Sequence, residues 1–254
     1  MSGWKRLALL FLGNVLFASG LAFHAFLYNF YLDGLHHTTI VMGRAAAVWS
    51  FAGLLALLPA GRGVDRWGAK PVIMVAASCA CAGLAWGAVA GAPLTIYLAS
   101  AMAGVAAVAW RVAQAPVLMQ LSTPANRSRV FALDVALLVA SGALSTWASG
   151  GLLGLIERSV GVSHGNALTL TLLAGSGITA LSVAVYAVAG IPRVERRTPP
   201  VGPGATAVSP LVILLAGLSG LWIAGLTMAS PFFNLYFARN YHLSVERVSW
   251  ILSG

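Results

Sequence analysis

One stretch of the sequence decides how the chain is organised, and it reads Gly61-Arg62-Gly63-Val64-Asp65-Arg66-Trp67-Gly68-Ala69-Lys70-Pro71. It lies between two apolar runs, Ile40–Ala60 and Pro71–Gly91, and each run is long enough to cross a bilayer as a helix. Because charged groups are costly in hydrocarbon, the stretch is predicted to lie at a membrane surface. Its glycines and its proline are typical of a tight turn between two helices.

The composition places most of the chain inside a membrane. Apolar residues make up 59% of the 254 residues and charged residues only 8%, whereas a soluble domain has about 25% charged residues. Helices are the structures that long apolar runs form in lipid, since all their backbone groups are hydrogen-bonded internally. The predicted fold class is therefore an all-α integral membrane protein.

Seven apolar runs are candidate membrane spans. They are Leu7–Leu32, Ile40–Ala60, Pro71–Gly91, Leu94–Gln120, Val130–Leu155, Ala167–Gly190 and Pro210–Phe237. The first run follows two basic residues, but it is too long for the apolar core of a signal peptide. It is predicted to be a first helix that the mature protein retains.

The net charge of +9 is explained by how the basic residues are distributed over the loops. If the N-terminus is cytoplasmic, ten loop Lys and Arg residues fall on the cytoplasmic side and three on the opposite side. This bias predicts a multi-pass protein of the cell (plasma or inner) membrane with a cytoplasmic N-terminus, in contact with anionic lipid. It gives no support to a nucleic-acid partner.

The chain divides into three parts. Residues 1–190 hold six spans, residues 191–209 form a linker rich in proline and arginine that is predicted to be cytoplasmic, and residues 210–254 hold helix 7 and the start of helix 8. At an offset of 205 residues, Asn29-Phe30-Tyr31 matches Asn234-Leu235-Tyr236. The last part is therefore predicted to begin a second, parallel copy of the first. Because this copy stops early, the chain is expected to be a fragment or a natural truncation.

The pattern G-x-x-x-D-R-x-G-x-K in the opening stretch resembles the loop between helices 2 and 3 of the major facilitator superfamily of secondary transporters. The matching positions are Gly61, Asp65, Arg66, Gly68 and Lys70. In that family the loop is a gating element on the cytoplasmic face. The resemblance implies a six-helix bundle, a linker and helix 7 of an incomplete second bundle. It also implies a small solute that binds between the bundles and crosses by alternating access.

Two further patterns of that family are matched only in part. Proton-coupled drug exporters carry R-x-x-x-G in helix 4, where Ser100 occupies the arginine position and Gly104 the glycine position. Their helix 5 pattern lies over Gly142–Gly151, with Thr146-Trp147 in place of Gly-Pro. Proton-coupled efflux, with protons as the coupling ion, therefore stays open.

Polar residues inside the spans are the candidate site residues, because polar groups in lipid are costly and often functional. The candidates for the solute cavity are His24, Asn29, Arg111, Gln114 and Asn234, with Asn14 and Tyr28 beside them. Arg111 and Asp134 flank a short hairpin and are predicted to form an ion pair, either structural or involved in coupling. His24 either carries a proton or hydrogen-bonds a neighbouring helix. Asn29 and Asn234 either line the cavity or tie helix ends together.

Glycines at every fourth position predict close contacts between helices. Gly83, Gly87 and Gly91 form such a series in the third span, and Gly150 and Gly154 form one in the fifth. Small residues at this spacing let neighbouring membrane helices approach closely. The series predicts packing and carries no information about a solute.

Enzyme chemistry finds no support in the sequence. The spans contain no H-E-x-x-H motif, no Ser/His pair and no paired carboxylates, and no residues have the spacing of metal ligands. No enzyme, cofactor or metal is predicted. The alternative to a transporter is a membrane protein without transport activity, either a sensor or a truncated bundle that assembles with other subunits.

Overall fold

The computed structural model describes residues 3–192 and 232–253, together with residues 210, 211, 214 and 218. In these residues the regular secondary structure is entirely helical. The first six helices are α1 (Gly3–Gly34), α2 (Thr39–Trp67), α3 (Ala69–Gly87), α4 (Pro93–Leu121), α5 (Arg127–Val160) and α6 (His164–Val188). All six are long and apolar enough to cross a membrane. The predicted all-α, multi-pass membrane fold is confirmed.

The final part of the chain adds two helices, α7 (residues 232–241) and α8 (Val245–Ser253). Most of the predicted linker and much of the predicted span Pro210–Phe237 lie outside the described residues. The described residues within that span are helical. Helices therefore follow the six-helix bundle as expected, and the boundaries of the three parts stay predictions.

Consecutive long helices run in opposite directions, so the turns between them lie at two ends of the bundle. At the end that we call the Gly68 end, Lys70 Nζ of α3 donates a hydrogen bond to the carbonyl oxygen of Ala187, 2.8 Å away at the end of α6. At the opposite end, the His37 end, His37 Nε2 lies 2.9 Å from the carbonyl oxygen of Gly91. The first contact joins the start of α3, beside the α2–α3 turn, to the end of α6, and the second joins the α1–α2 turn to the α3–α4 turn.

The turn between α2 and α3 is shorter than the sequence predicted. Helix α2 continues through Gly61 and Gly63 to Trp67, and α3 begins at Ala69. Gly68 alone reverses the chain, with a φ of 91° that favours glycine. The prediction of a turn over the whole stretch was wrong, because a continued helix satisfies its backbone groups and leaves one residue to make the reversal.

Close helix contacts form at glycines. A Cβ atom added to Gly104 of α4 would lie 2.2 Å from the carbonyl oxygen of Trp49 in α2, so these two backbones touch. The predicted contact at Gly83 is confirmed, since an added Cβ would lie 3.0 Å from the backbone nitrogen of Ala103. Gly91 was predicted to pack closely too, but no described atom lies within 4 Å of its added Cβ.

Helix α8 packs against α5 near the His37 end. A Cβ at Gly150 of α5 would lie 2.2 Å from Ser249 Oγ, which confirms the close contact predicted there. Arg158 Nη2 donates to Glu246 Oε2 across the same pair of helices, at 2.7 Å. The partner of this glycine is therefore a helix that follows the six-helix bundle.

Candidate functional site

A cavity of about 620 Å³ lies between the six-helix bundle and the two helices that follow it. Its described lining comes from α1, α2, α4 and α5 on one side and from α7 and α8 on the other. The lining residues that matter most here are His24, Tyr28, Asn29, Trp49, Ser100 and Asn234. Small-molecule sites have volumes of about 300–1,000 Å³, so the cavity has the size of such a site.

The described lining of the cavity carries no Asp, Glu, Lys or Arg. Its polar groups are an imidazole, a phenol, the indole N–H of Trp49, two amides and the hydroxyl groups of Ser50, Ser100 and Thr146. The remaining described lining is apolar or backbone. An apolar wall with a few convergent polar groups is typical of a site that orients a small molecule.

Four aromatic rings form a stacked column, and three of them, Trp49, His24 and Tyr28, border the cavity. The rings of Trp49 and His24 have centroids 6.3 Å apart and planes 22° apart. His24 and Tyr28 are one helical turn apart on α1, and their centroids are separated by 4.1 Å. The column continues to Tyr31, 6.1 Å from Tyr28. Trp49 is half-buried, and both Trp49 and His24 border the cavity.

One polar atom in this column, Nδ1 of His24, lacks a hydrogen-bond partner in the described part of the chain. The Tyr28 hydroxyl lies within reach of the Ser100 side chain, which can pair with it. Both His24 and Tyr28 are buried. Buried polar atoms are usually satisfied, so the His24 nitrogen is an exception in this column.

Three of the five predicted cavity residues, His24, Asn29 and Asn234, line this cavity. Asn234 of α7 also donates from Nδ2 to the carbonyl oxygen of Phe26 in α1, at 2.7 Å. The amide therefore ties α7 to α1, which was one of the two roles considered for it. Whether these residues bind a solute stays a prediction.

The other two predicted cavity residues, Arg111 and Gln114, lie elsewhere. Gln114 is buried inside the bundle, where its Nε2 donates to Asp134 Oδ1 at 3.0 Å. Arg111 is exposed, and its guanidinium lies 5.5 Å from the ring centre of Trp110. No salt bridge joins Arg111 to Asp134, although the structure describes both residues. The predicted ion pair is therefore not formed as a direct contact, because α4 brings Gln114 rather than Arg111 into hydrogen-bonding distance of the carboxylate, although the Arg111 charge is near enough to act on Asp134.

Asp134 belongs to a buried network that joins four helices. It accepts hydrogen bonds from Asn14 Nδ2 at 2.8 Å and from Gln114. The Tyr186 hydroxyl donates to Asn14 Oδ1, and Trp110 Nε1 donates to the Tyr186 hydroxyl, both at 2.8 Å. The network links α1, α4, α5 and α6. Because its members do not line the cavity, we assign it to holding the bundle together.

The predicted gating residues lie at the Gly68 end. Lys70 binds the carbonyl oxygen of Ala187, a backbone group that has no partner within its own helix near a C-terminus. Asp65 and Arg66 are exposed, and the Arg66 guanidinium lies 5.9 Å from the ring centre of Trp67. A gating role for this end stays a prediction.

Two salt bridges at the His37 end connect the bundle to the helices that follow it. Arg158 of α5 pairs with Glu246 of α8, and Asp33 of α1 pairs with Arg239 of α7. All four side chains are at least about one third exposed. Each pair is therefore expected to contribute little stability, at most about 1 kcal/mol.

The sequence analysis missed Trp49, Ser50 and Thr146 as cavity residues. Trp49 is one apolar residue among many in its span, and nothing in the composition shows which face it occupies. A usable signal lay in the spacing of His24 and Tyr28, which places two polar aromatic side chains on one face of α1. Thr146 stands at a position where the antiporter pattern has glycine, which was noted without a role.

The fold and the cavity together define a multi-pass helical membrane protein with a cavity between two helical units. No family model and no curated protein matches the chain. Solved structures do match it. The crystal structure of the nucleoside transporter NupG is similar with a TM-score of 0.67 and 16% identity, covering 100% of this chain and 64% of NupG.

Peptide transporters show the same likeness. A bacterial homologue of the human drug peptide transporters PepT1 and PepT2 gives a TM-score of 0.65 at 12% identity, covering 99% of this chain and 53% of that protein. Tetrameric PepTSo2 gives 0.62 at 15% identity, with 98% and 51% covered. The chain thus spans less than two thirds of the length of these transporters. At these identities the likeness shows the fold: the chain has the major facilitator fold, as a six-helix bundle and part of a second half.

Proposed function

We propose that this chain belongs to a secondary active transporter that carries a small solute across the membrane by alternating access. The observation that carries the proposal is the cavity of about 620 Å³, which the six-helix bundle lines on one side and α7 and α8 line on the other. In major facilitator transporters the two halves rock about a site near the membrane midplane. A cavity between the halves is where such a site is expected.

The distribution of basic residues supports an orientation. Most of the loop Lys and Arg residues are expected at the Gly68 end, so we place this end and the N-terminus on the cytoplasmic side of the plasma or inner membrane. The His37 end then faces outwards. There the pairs Asp33–Arg239 and Arg158–Glu246 hold α7 and α8 against the bundle. In this proposal those contacts separate when the outer side opens, and Asp65 and Arg66 latch the cytoplasmic side.

The proposal also extends to the chemical class of the solute and to the ion that is coupled to its transport. Nucleosides and peptides, which the NupG and peptide transporter structures name, are the first solute classes to test. Proton-coupled efflux is supported by the partial match of the fifth span to the antiporter pattern. Direction and coupling are both measurable in proteoliposomes.

The test is accumulation of labelled uridine and dialanine by proteoliposomes that contain the full gene product, with and without an imposed pH gradient. We expect accumulation of a solute to depend on the protein, and to respond to the pH gradient if protons are coupled. Asp65→Ala should abolish it, while Arg62→Ala, an exposed charge of the same helix outside the matched pattern, should not. Normal transport by Asp65→Ala would remove the gating role. Folded protein that moves no solute across a broad panel would favour the sensor or assembling-bundle alternative.

A further inference from the structure

We propose that the cavity binds an uncharged solute with a planar ring, stacked against Trp49. The inference rests on the proposed function in one respect, namely that the cavity is where the solute binds. It adds the chemical class of that solute. Two features of the cavity carry it, the stacked rings that border it and the absence of charge from the described lining, and the polar groups of the lining add a hydrogen-bonding requirement.

The ring column provides a flat binding surface. The planes of Trp49 and His24 lie within 22° of each other, and those of His24 and Tyr28 within 28°. Trp49 is half-buried and belongs to the cavity lining. Aromatic rings favour offset stacking at centroid separations of about 4.5–7 Å. A planar solute can therefore extend this column, whereas a solute without a flat face cannot.

The polar groups of the lining set the hydrogen-bonding requirement of the solute. They include the imidazole of His24, two amides and the hydroxyl groups of Ser50, Ser100 and Thr146. A ring that carries its own hydrogen-bonding atoms can pair with such groups, whereas a hydrocarbon ring cannot.

Because its described lining is uncharged, the cavity is expected to exclude charged solutes. None of the described lining residues bears a formal charge at neutral pH. The buried carboxylate of Asp134 lies in the separate network, where amide groups of Asn14 and Gln114 already hydrogen-bond it. A charged or zwitterionic solute would leave water without meeting an opposite charge, which is strongly unfavourable. The solute class is therefore an uncharged heteroaromatic compound.

The test is isothermal titration calorimetry of the purified chain in detergent with three probes. Adenosine is uncharged and planar, adenosine 5′-monophosphate carries the same ring with a charged group, and sorbitol is uncharged without a ring. We expect adenosine to bind, and the other two to bind at least roughly tenfold more weakly. Trp49→Ala should weaken adenosine binding roughly tenfold or more, as expected for loss of a base-stacking partner. Trp86→Ala, which removes a tryptophan of α3 outside the cavity lining, is the matched control.

Equal binding of adenosine and its monophosphate would overturn the charge argument, and unchanged binding by Trp49→Ala would overturn the stacking argument. If Trp49→Ala does not yield monodisperse protein, His24→Ala is the second variant, and it should weaken adenosine binding while sorbitol stays unbound. Failure of uncharged ring compounds to bind, with accumulation of a charged solute in proteoliposomes, would refute this inference and leave the transporter proposal standing. Adenosine binding without accumulation of any solute would refute the transporter proposal and leave the site.

Discussion

Replacing Gly104 by alanine should force α2 and α4 apart at the point where α2 carries Trp49. The added Cβ would lie 2.2 Å from the carbonyl oxygen of Trp49, 2.9 Å from its carbonyl carbon and 3.0 Å from its Cα. Non-bonded carbon atoms are normally separated by about 3.5–4.0 Å. All three contacted atoms belong to the backbone, so no side-chain rotation relieves the overlap. The helices must separate by roughly 1 Å, since that restores an ordinary contact with the oxygen.

The size of the effect follows from two opposing terms. Overpacking a close contact costs about 1–3 kcal/mol, and a backbone contact belongs to the upper part of that range. Alanine has the better helix propensity and returns up to about 1 kcal/mol. The expected net loss is about 2 kcal/mol of unfolding free energy. For a chain of this size, 1 kcal/mol shifts the melting temperature by about 2–4 °C, so Gly104→Ala should melt about 4–8 °C lower.

The assay is thermal unfolding of purified protein in detergent, followed by near-ultraviolet circular dichroism. Gly177→Ala is the matched control, because no described atom lies within 4 Å of the added Cβ and the residue is an exposed position of α6. It should melt at the original temperature or slightly higher. The same Gly104 variant should also bind adenosine more weakly, since Trp49 moves with α2. A Gly104→Ala protein that melts no lower than Gly177→Ala would refute the tight α2–α4 contact.

Two further predictions concern polar contacts. Asp134→Ala leaves the amide donors of Asn14 and Gln114 without their shared acceptor and should lower the unfolding free energy by about 1–3 kcal/mol. Asp134→Asn keeps an acceptor and should lose less stability. Equal melting temperatures of the two variants would contradict this prediction. Reversing the charge of Asp33 or of Arg239 alone should cause a small loss of stability, and exchanging both charges should restore most of it. A double-mutant cycle in thermal unfolding should give a coupling energy of about 1 kcal/mol or less. An additive cycle would show that the pair does not interact.

The six membrane helices could be predicted because hydrophobic length is a direct physical requirement of the bilayer. Their ends could not, since helices continue past the hydrocarbon into polar surroundings. The predicted span Val130–Leu155 became α5 (Arg127–Val160), with basic residues at both ends. The stretch with three glycines looked like a loop, yet only Gly68 leaves the helix. Glycine permits a turn without imposing one, and the hydrogen bonds of a continuing helix outweigh its low propensity.

The candidate site could be predicted only where burial itself was informative. His24, Asn29 and Asn234 were identified because polar side chains are rare in apolar spans, and the structure places all three at the cavity. The sequence analysis chose Arg111 as the partner of Asp134, whereas Gln114 makes the hydrogen bonds. The two residues are three positions apart, less than one helical turn, so a modest rotation of α4 decides which of them reaches α5.

The separation of charge from the cavity has a consequence for coupling. Among the described residues, Asp134 is the one buried acidic side chain, and it lies in the network that joins four helices rather than on the cavity wall. An uncharged solute in a cavity without formal charges carries no net charge across the membrane potential, so the potential does not act on the solute itself. Coupling to an ion would therefore need a group outside the described lining.

If that group were Asp134, its protonation would remove a charged acceptor from Asn14 and Gln114 and loosen the contact between α1, α4 and α5. Asp134→Asn, which tests the stability of the network, also tests this role in coupling. If the carboxylate takes part in coupling, the substitution should change the response of transport to a pH gradient. If the carboxylate is purely structural, that response should stay the same.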